Sequence, residues 1–185
     1  MITIVGISGS LRRGSFNTAL LRAAQTLMPA NSALHIGSIS DIPLYNGDVE
    51  TEQGIPVAVQ ALKNQIIAAD GVLLVTPEYN NSIPGVLKNA IDWLSRPPAD
   101  VPKVFTSKPF AIAGASPGGF GTTLAQVAWL PVLRTLQTRT WFGAKLLVSH
   151  ADKVFNEQGV LVDDRVKAQL QKYMQDFVSF IESEQ

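Results

Sequence analysis

Ile2-Thr3-Ile4-Val5-Gly6-Ile7-Ser8-Gly9-Ser10-Leu11-Arg12-Arg13-Gly14-Ser15-Phe16-Asn17-Thr18-Ala19-Leu20-Leu21 carries the chain from an apolar run, through a polar loop, into a helical pattern. Ile2, Ile4, Val5 and Ile7 read as a buried strand, and Ala19, Leu20, Leu21, Ala23 and Ala24 as the inner face of a helix. The loop between them ends at a helix N-terminus, where unpaired backbone N–H groups and the positive end of the helix dipole favour an anion. Hydroxyls of Ser10 and Ser15, the amide of Asn17 and the guanidinium of Arg12 add donors suited to the oxygens of a terminal phosphate. The same residues also suit a plain cap, with Ser15 or Asn17 accepting from first-turn amides and Gly9 easing a tight turn. Neither a dinucleotide-binding GxGxxG nor the lysine of a nucleoside-triphosphate loop is present.

Four more apolar runs follow, at Ala33 to Ile39, Val72 to Thr76, Phe110 to Ala115 and Ala144 to Val148. Helical patterns alternate with them at Asn17 to Met28, Pro56 to Ala69, Pro84 to Arg96 and Thr122 to Leu136, and a last one runs from Asp163 to about Glu182. This alternation predicts an α/β fold: a three-layer sandwich in which helices cover both faces of a five-stranded parallel sheet. The leading topology is of the flavodoxin type, strand order 2-1-3-4-5, whose ligands lie beyond the carboxyl ends of the strands at the switch point between the first and third. Ile42 to Gly54 and Arg96 to Pro109, rich in proline, glycine and asparagine, read as loops; the second is long enough for a substrate lid, a subunit contact or a surface excursion.

The chain has 185 residues, no cysteine, and 15 basic side chains against 15 acidic ones. One domain over 1–185 is expected, with a core that needs no disulfide. Lack of cysteine removes thiol nucleophiles and thiolate metal sites, and the balanced charge gives no global field toward nucleic acid or an anionic membrane. With no spanning apolar run and no signal-peptide pattern, a cytoplasmic location is expected. No metal site is assigned, and His35 and His150 are read as surface or structural residues.

Two further loops fall at strand ends. Thr76-Pro77-Glu78-Tyr79-Asn80-Asn81-Ser82-Ile83-Pro84-Gly85 follows the third strand and offers a stiff turn, an aromatic face and amide groups able to read the edge of a planar heterocycle. Its plainer reading has Tyr79 packing the loop, Glu78 capping something local and Ser82 capping the next helix. Ser116-Pro117-Gly118-Gly119-Phe120-Gly121 follows the fourth strand and leaves its backbone bare for close approach by a flat ligand.

Gly9 to Asn17, Pro77-Glu78-Tyr79-Asn80 with Pro84 to Trp93, and Ser116-Pro117-Gly118-Gly119 together resemble the NADPH-dependent FMN reductase family, which includes quinone, chromate and azo-compound reductases of flavodoxin-like fold. The resemblance implies a bound FMN whose phosphate meets Ser10, Arg12, Ser15 and Asn17. Pro77, Glu78, Tyr79 and Asn80 would line its ribityl and ring region, and Ser116, Gly118 and Gly119 would approach the isoalloxazine. It implies a homodimer or homotetramer, with Asp92, Trp93 and Arg96 as interface candidates. The chain departs from the family pattern at Asn81, where many relatives carry an aromatic residue. It departs again at Leu124-Ala125-Gln126, where Arg-Ala-Gln is frequent, and Pro131 is expected to interrupt the following helix.

The implied activity is hydride transfer from NADPH or NADH through FMN to a small-molecule acceptor by ping-pong turnover. The candidate acceptors are quinones, azo compounds, metal oxyanions such as chromate, and free flavin. Because the flavin supplies the difficult chemistry, no catalytic acid, base or nucleophile is assigned. The alternatives are a flavodoxin-like electron carrier that does not oxidise nicotinamide, against which the neutral charge argues, and a phosphate-sensing module using the first loop alone.

Overall fold

The computed structural model describes residues 1–183, so the last two positions of the 1–185 span lie outside the described residues. In chain order the elements are β1 (Ile2–Ser8), α1 (Phe16–Thr26), β2 (Ser32–Gly37), α2 (Gly47–Gln53), α3 (Val57–Ala68), β3 (Gly71–Val75) and α4 (Gly85–Leu94). A 3-10 turn (Pro98–Asp100) then leads into α5 (Val101–Val104), β4 (Pro109–Ala115), α6 (Thr123–Thr135), β5 (Arg139–Thr140), β6 (Leu146–Val148), α7 (Ala151–Val154) and α8 (Asp164–Glu182). All pairings are parallel, in the order β2-β1-β3-β4-β5, with β6 also on β4.

Alternation along the strands sends side chains to two cores. Ile2 and Ile4 of β1 join Leu73 and Val75 of β3 under α1 and α8, where Leu20, Leu21, Leu170 and Phe177 meet them. Val5, Ile7, Val72 and Leu74 face the other way, toward Leu62 and Ile66 of α3, Leu87 and Ile91 of α4 and Trp129 of α6. Burial on both faces explains why these strands read as continuous apolar runs. The Tyr173 hydroxyl, buried on α8, donates to the Ile112 carbonyl at 2.8 Å, and burial pushes its pKa up.

The edge of the sheet departs from the expected fifth strand. Pairing with β4 stops at Phe110↔Thr140 and resumes at Ala113↔Leu146, so the expected Ala144–Val148 strand is shortened to Leu146–Val148 and an unexpected piece, Arg139–Thr140, precedes it on the edge. Between them Trp141 turns into the core, its ring 4.9 Å from Tyr173 and 5.5 Å from Phe177. Its neighbour Phe142 is left 71% exposed.

Both segments expected to be loops contain helix. Within Ile42–Gly54, Asn46 caps α2 by accepting from Asp48 N–H at 2.9 Å, and Gly54 ends the helix at φ 79°. Within Arg96–Pro109, Val104 and Phe105 are buried, and the buried Lys63 ammonium donates to the Arg96 carbonyl and pairs with Asp100 at 2.9 Å. That segment is therefore docked against α3. Arg96 pairs with Glu50 at 2.8 Å, and this bond, with a second from the Tyr45 hydroxyl, holds the Glu50 pKa below the usual carboxylate range.

Three local expectations are corrected. Trp93 is fully buried in its own chain, its indole N–H donating to Pro43 O at 2.9 Å, so it does not present an interface. Helix α6 runs through Pro131, which sits on its exposed side; the missing N–H leaves only the carbonyl of Val127, an exposed residue, for water to serve. Ser82 does not cap α4, whose N-cap position is Pro84; it forms instead a two-way backbone bridge with Tyr79.

Candidate functional site

Strands β1, β3 and β4 lie side by side, so the loops leaving their carboxyl ends are neighbours and share backbone hydrogen bonds. Gly9 N–H donates to Val75 O at 2.8 Å, and Thr76 N–H to Ala113 O at 2.9 Å. A Cβ at Gly9 would stand 2.8 Å from Leu87 and 2.9 Å from Pro77, so glycine is what lets the first loop close on the second. Gly114 plays the same part for the third loop: a Cβ there would overlap the Thr122 hydroxyl and the Thr76 carbonyl.

Between the three loops lies a cavity of about 440 Å³ lined by Ser10, Arg12, Ser15, Phe16, Asn17, Pro77, Glu78, Tyr79, Ala115, Ser116 and Pro117. Pockets for small molecules and cofactors run from roughly 300 to 1,000 Å³, so this one is of mononucleotide size. A cavity of about 160 Å³ beside Trp141 is too small for such a ligand, whereas clefts of about 340, 370 and 450 Å³ lie beside Ala19, Lys88 and Asp70, so place at the strand ends and not size distinguishes the one between the loops.

The N-terminus of α1 stands against the cavity between the loops. Ser15 is its N-cap, its hydroxyl accepting from Thr18 N–H at 3.2 Å. Among the described residues no acceptor serves the backbone N–H of Phe16 or Asn17, and these two donors head the helix at the cavity wall. The guanidinium of Arg12 lies 5.3 Å from the centroid of the Phe16 ring, which in turn stacks on Phe155 at 6.1 Å. The donor set suits a phosphate: two free amides, serine hydroxyls and one exposed cation.

Asn17 has a more specific position than the sequence conveys. Its side chain is buried, donating to Ala115 O and accepting from Ala115 N–H, each at 2.9 Å. It therefore pins the start of α1 to the end of β4, and its main-chain N–H is left without an acceptor among the described residues.

The second loop is a tight hairpin. Tyr79 and Ser82 exchange backbone bonds around Asn80 and Asn81, both left-handed at φ 50° and 61°. Asparagine tolerates that region better than most residues, which accounts for the pair and places Asn81 at the tip. Asn80 is likewise at the tip and does not line the cavity. Tyr79 does, half-exposed, its hydroxyl 3.4 Å from that of Ser10. Glu78 also lines it, while one carboxylate oxygen accepts from the N–H groups of Leu124 and Ala125 at 2.8 and 3.0 Å.

In the third loop Ser116 lines the cavity and its hydroxyl accepts from Gly118 N–H at 3.1 Å. Gly118 and Gly119 lie just outside the lining, on the side of His150, whose N–H donates to Gly118 O at 3.2 Å. Phe16, Ala115 and Pro117 are lining residues missed in the sequence; only Phe16, an aromatic side chain between Ser15 and Asn17, left a visible signal.

A family model described as NADPH-dependent FMN reductase matches residues 2–153. An NAD(P)H-dependent FMN reductase of Pseudomonas aeruginosa is 46% identical over 174 residues, 94% of this chain and 92% of the relative. A 2-hydroxy-1,4-benzoquinone reductase of a Burkholderia species is 37% identical over 180 residues, 97% of this chain and 96% of the relative. Among solved structures, FerB, a flavoenzyme NAD(P)H:(acceptor) oxidoreductase of Paracoccus denitrificans, superposes with a TM-score of 0.88 at 34% identity, covering 99% of this chain and 98% of that one.

Proposed function

The chain belongs to the NADPH-dependent FMN reductase family, and from that premise we propose how its single 1–185 domain works as an FMN-dependent NAD(P)H oxidoreductase. The observation that carries the reading is the cavity itself, with helix-end donors at one extremity and a hairpin facing a glycine-rich loop at the other. When bound, FMN supplies the redox chemistry, accepting hydride from a nicotinamide and passing electrons to an acceptor.

Ser10, Arg12 and Ser15, with the main-chain N–H groups of Phe16 and Asn17, would hold the phosphate. Pro77, Glu78 and Tyr79 form one wall and Ser116 and Pro117 the other, while Asn80 at the hairpin tip and Gly118 and Gly119 beyond the lining would border the mouth. With the phosphate end closed by α1, donor and acceptor enter by the same mouth in succession. Quinones head the acceptors, because a similar chain is named for one; azo compounds, metal oxyanions such as chromate and free flavin are further candidates of the same electron demand. The balanced charge and the absence, among the described residues, of a helix able to cross a membrane accord with a cytoplasmic enzyme. Exposed Phe120, Leu124 and Val127 favour assembly as a homodimer or homotetramer.

The test is anaerobic titration of the FMN-loaded protein with NADPH and NADH, following flavin absorbance. Bleaching by at least one nicotinamide is expected, and with a quinone added, double-reciprocal plots should run parallel. Failure of both nicotinamides to bleach the flavin would leave the electron-carrier reading in its place.

A further inference from the structure

Helix α6 lacks a cap of its own: Thr122 stands at the N-cap position, but its side chain makes no capping bond and its hydroxyl accepts from the Gln126 amide instead. The first-turn donors are met from another loop, by a single oxygen of Glu78, 46 residues earlier in the chain. A carboxylate is the strongest acceptor for this place, since it both fills the orphan N–H groups and complements the positive end of the helix dipole. A second tie runs in parallel, from the buried Trp129 indole N–H on α6 to the Thr76 hydroxyl at 3.2 Å.

The glycine-rich segment 116–122 hangs between β4 and this helix. Its upstream end is fixed, Ser116 N–H donating to Val148 O at 2.9 Å and the Ser116 carbonyl accepting from Ala151 N–H at 3.1 Å. Residues 117–120 are exposed, and Gly118, Gly119 and Gly121 give the segment wide backbone freedom. His150 N–H ties its middle through Gly118 O at 3.2 Å, and its downstream end passes through buried Thr122 into the first turn of α6, which is gripped by Glu78.

We infer that Glu78 is a positioning residue: its carboxylate clamps α6 to the 77–82 hairpin and so sets the separation of the two walls that hold the flat end of the cofactor. This rests on the FMN reading above and adds a role for the side chain. The carboxylate acts on the helix, and through it on the loop. The clamp requires an acceptor at this point in space. Glutamine supplies one in the same place without the charge, and alanine supplies none.

Hydrogen exchange of the FMN-free protein, together with FMN titration, on the parent chain, Glu78→Ala and Glu78→Gln, tests this. Glu78→Ala should speed exchange across 117–125 while β1, β3 and β4 exchange as in the parent, and should weaken FMN binding roughly tenfold. Glu78→Gln should restore most of both. If Glu78→Ala fails to fold, Glu78→Asp, one methylene short of the helix, is read in its place. Parental exchange at 117–125, or faster exchange with parental FMN affinity, overturns the clamp. A parent chain that takes up no FMN defeats the functional reading instead, and the exchange arm still decides whether Glu78 holds α6.

Discussion

Asn17→Ala is expected to lower stability by about 3 kcal/mol, because it strands two buried main-chain groups at once. In the parent, the side-chain amide satisfies both the N–H and the carbonyl of Ala115 at 2.9 Å, and both residues are buried. Each orphaned group costs roughly 1–3 kcal/mol, a large share of the ~5–15 kcal/mol that holds a domain together. For a chain of this size the midpoint of thermal unfolding should fall by roughly 6–12 °C. FMN uptake should fall with it, since α1 and β4 would no longer be held in register around the cavity. Asn17→Asp keeps the bond from Ala115 N–H but sets a carboxylate against Ala115 O, so it should rescue little. A thermal midpoint within about 1 °C of the parent would show that the bridge is not a structural tie.

Arg12→Ala should do the reverse, weakening FMN binding while leaving the fold intact. Arg12 is exposed; its side chain stacks on Phe16 at 5.3 Å, and its backbone bonds, to the Ser10 hydroxyl at 3.4 Å and from Ser15 N–H at 3.1 Å, survive truncation, so stability should change by no more than about 0.5 kcal/mol. A charge-assisted bond to a phosphate is worth about 1.5–3 kcal/mol, which predicts a roughly 10- to 100-fold rise in the FMN dissociation constant. Arg12→Lys, which keeps the charge but loses the planar fork, should fall between. The loss should shrink as salt is added, because the contact is at the surface. Titration calorimetry of both variants at two ionic strengths checks the pair of claims, and unchanged affinity in Arg12→Ala would remove Arg12 from the phosphate site.

The sheet was legible because β1, β3 and β4 are buried on both faces and so appear as unbroken apolar runs. Their loops were legible because the strand order brings them together. The split edge was not, since nothing in Trp141-Phe142-Gly143 announces that Trp141 will leave the strand for Tyr173 and Phe177. Helix α2 was hidden for a different reason: it buries no residue, and what holds it is the Asn46 cap and the Tyr45, Glu50 and Arg96 cluster, whose Arg96–Glu50 pair joins segments 46 residues apart. The same limit applies within the site. Asn17 and Glu78 stand out by type and position, yet their acceptors and donors are main-chain groups of Ala115, Leu124 and Ala125, and a backbone amide looks alike everywhere in a sequence.

Because the cavity is shared by β1, β3 and β4, it has no local precursor during synthesis. Asn17 leaves the ribosome 98 residues before its partner Ala115 is made, which at about 5–20 residues per second is a wait of about 5–20 s. Through that interval the nascent α1 end carries its donors in water, with no opposite wall. Cofactor capture is thus a late event in biogenesis, open only to a chain whose fourth strand has already emerged, and a truncated translation product ending before that strand would compete for no FMN.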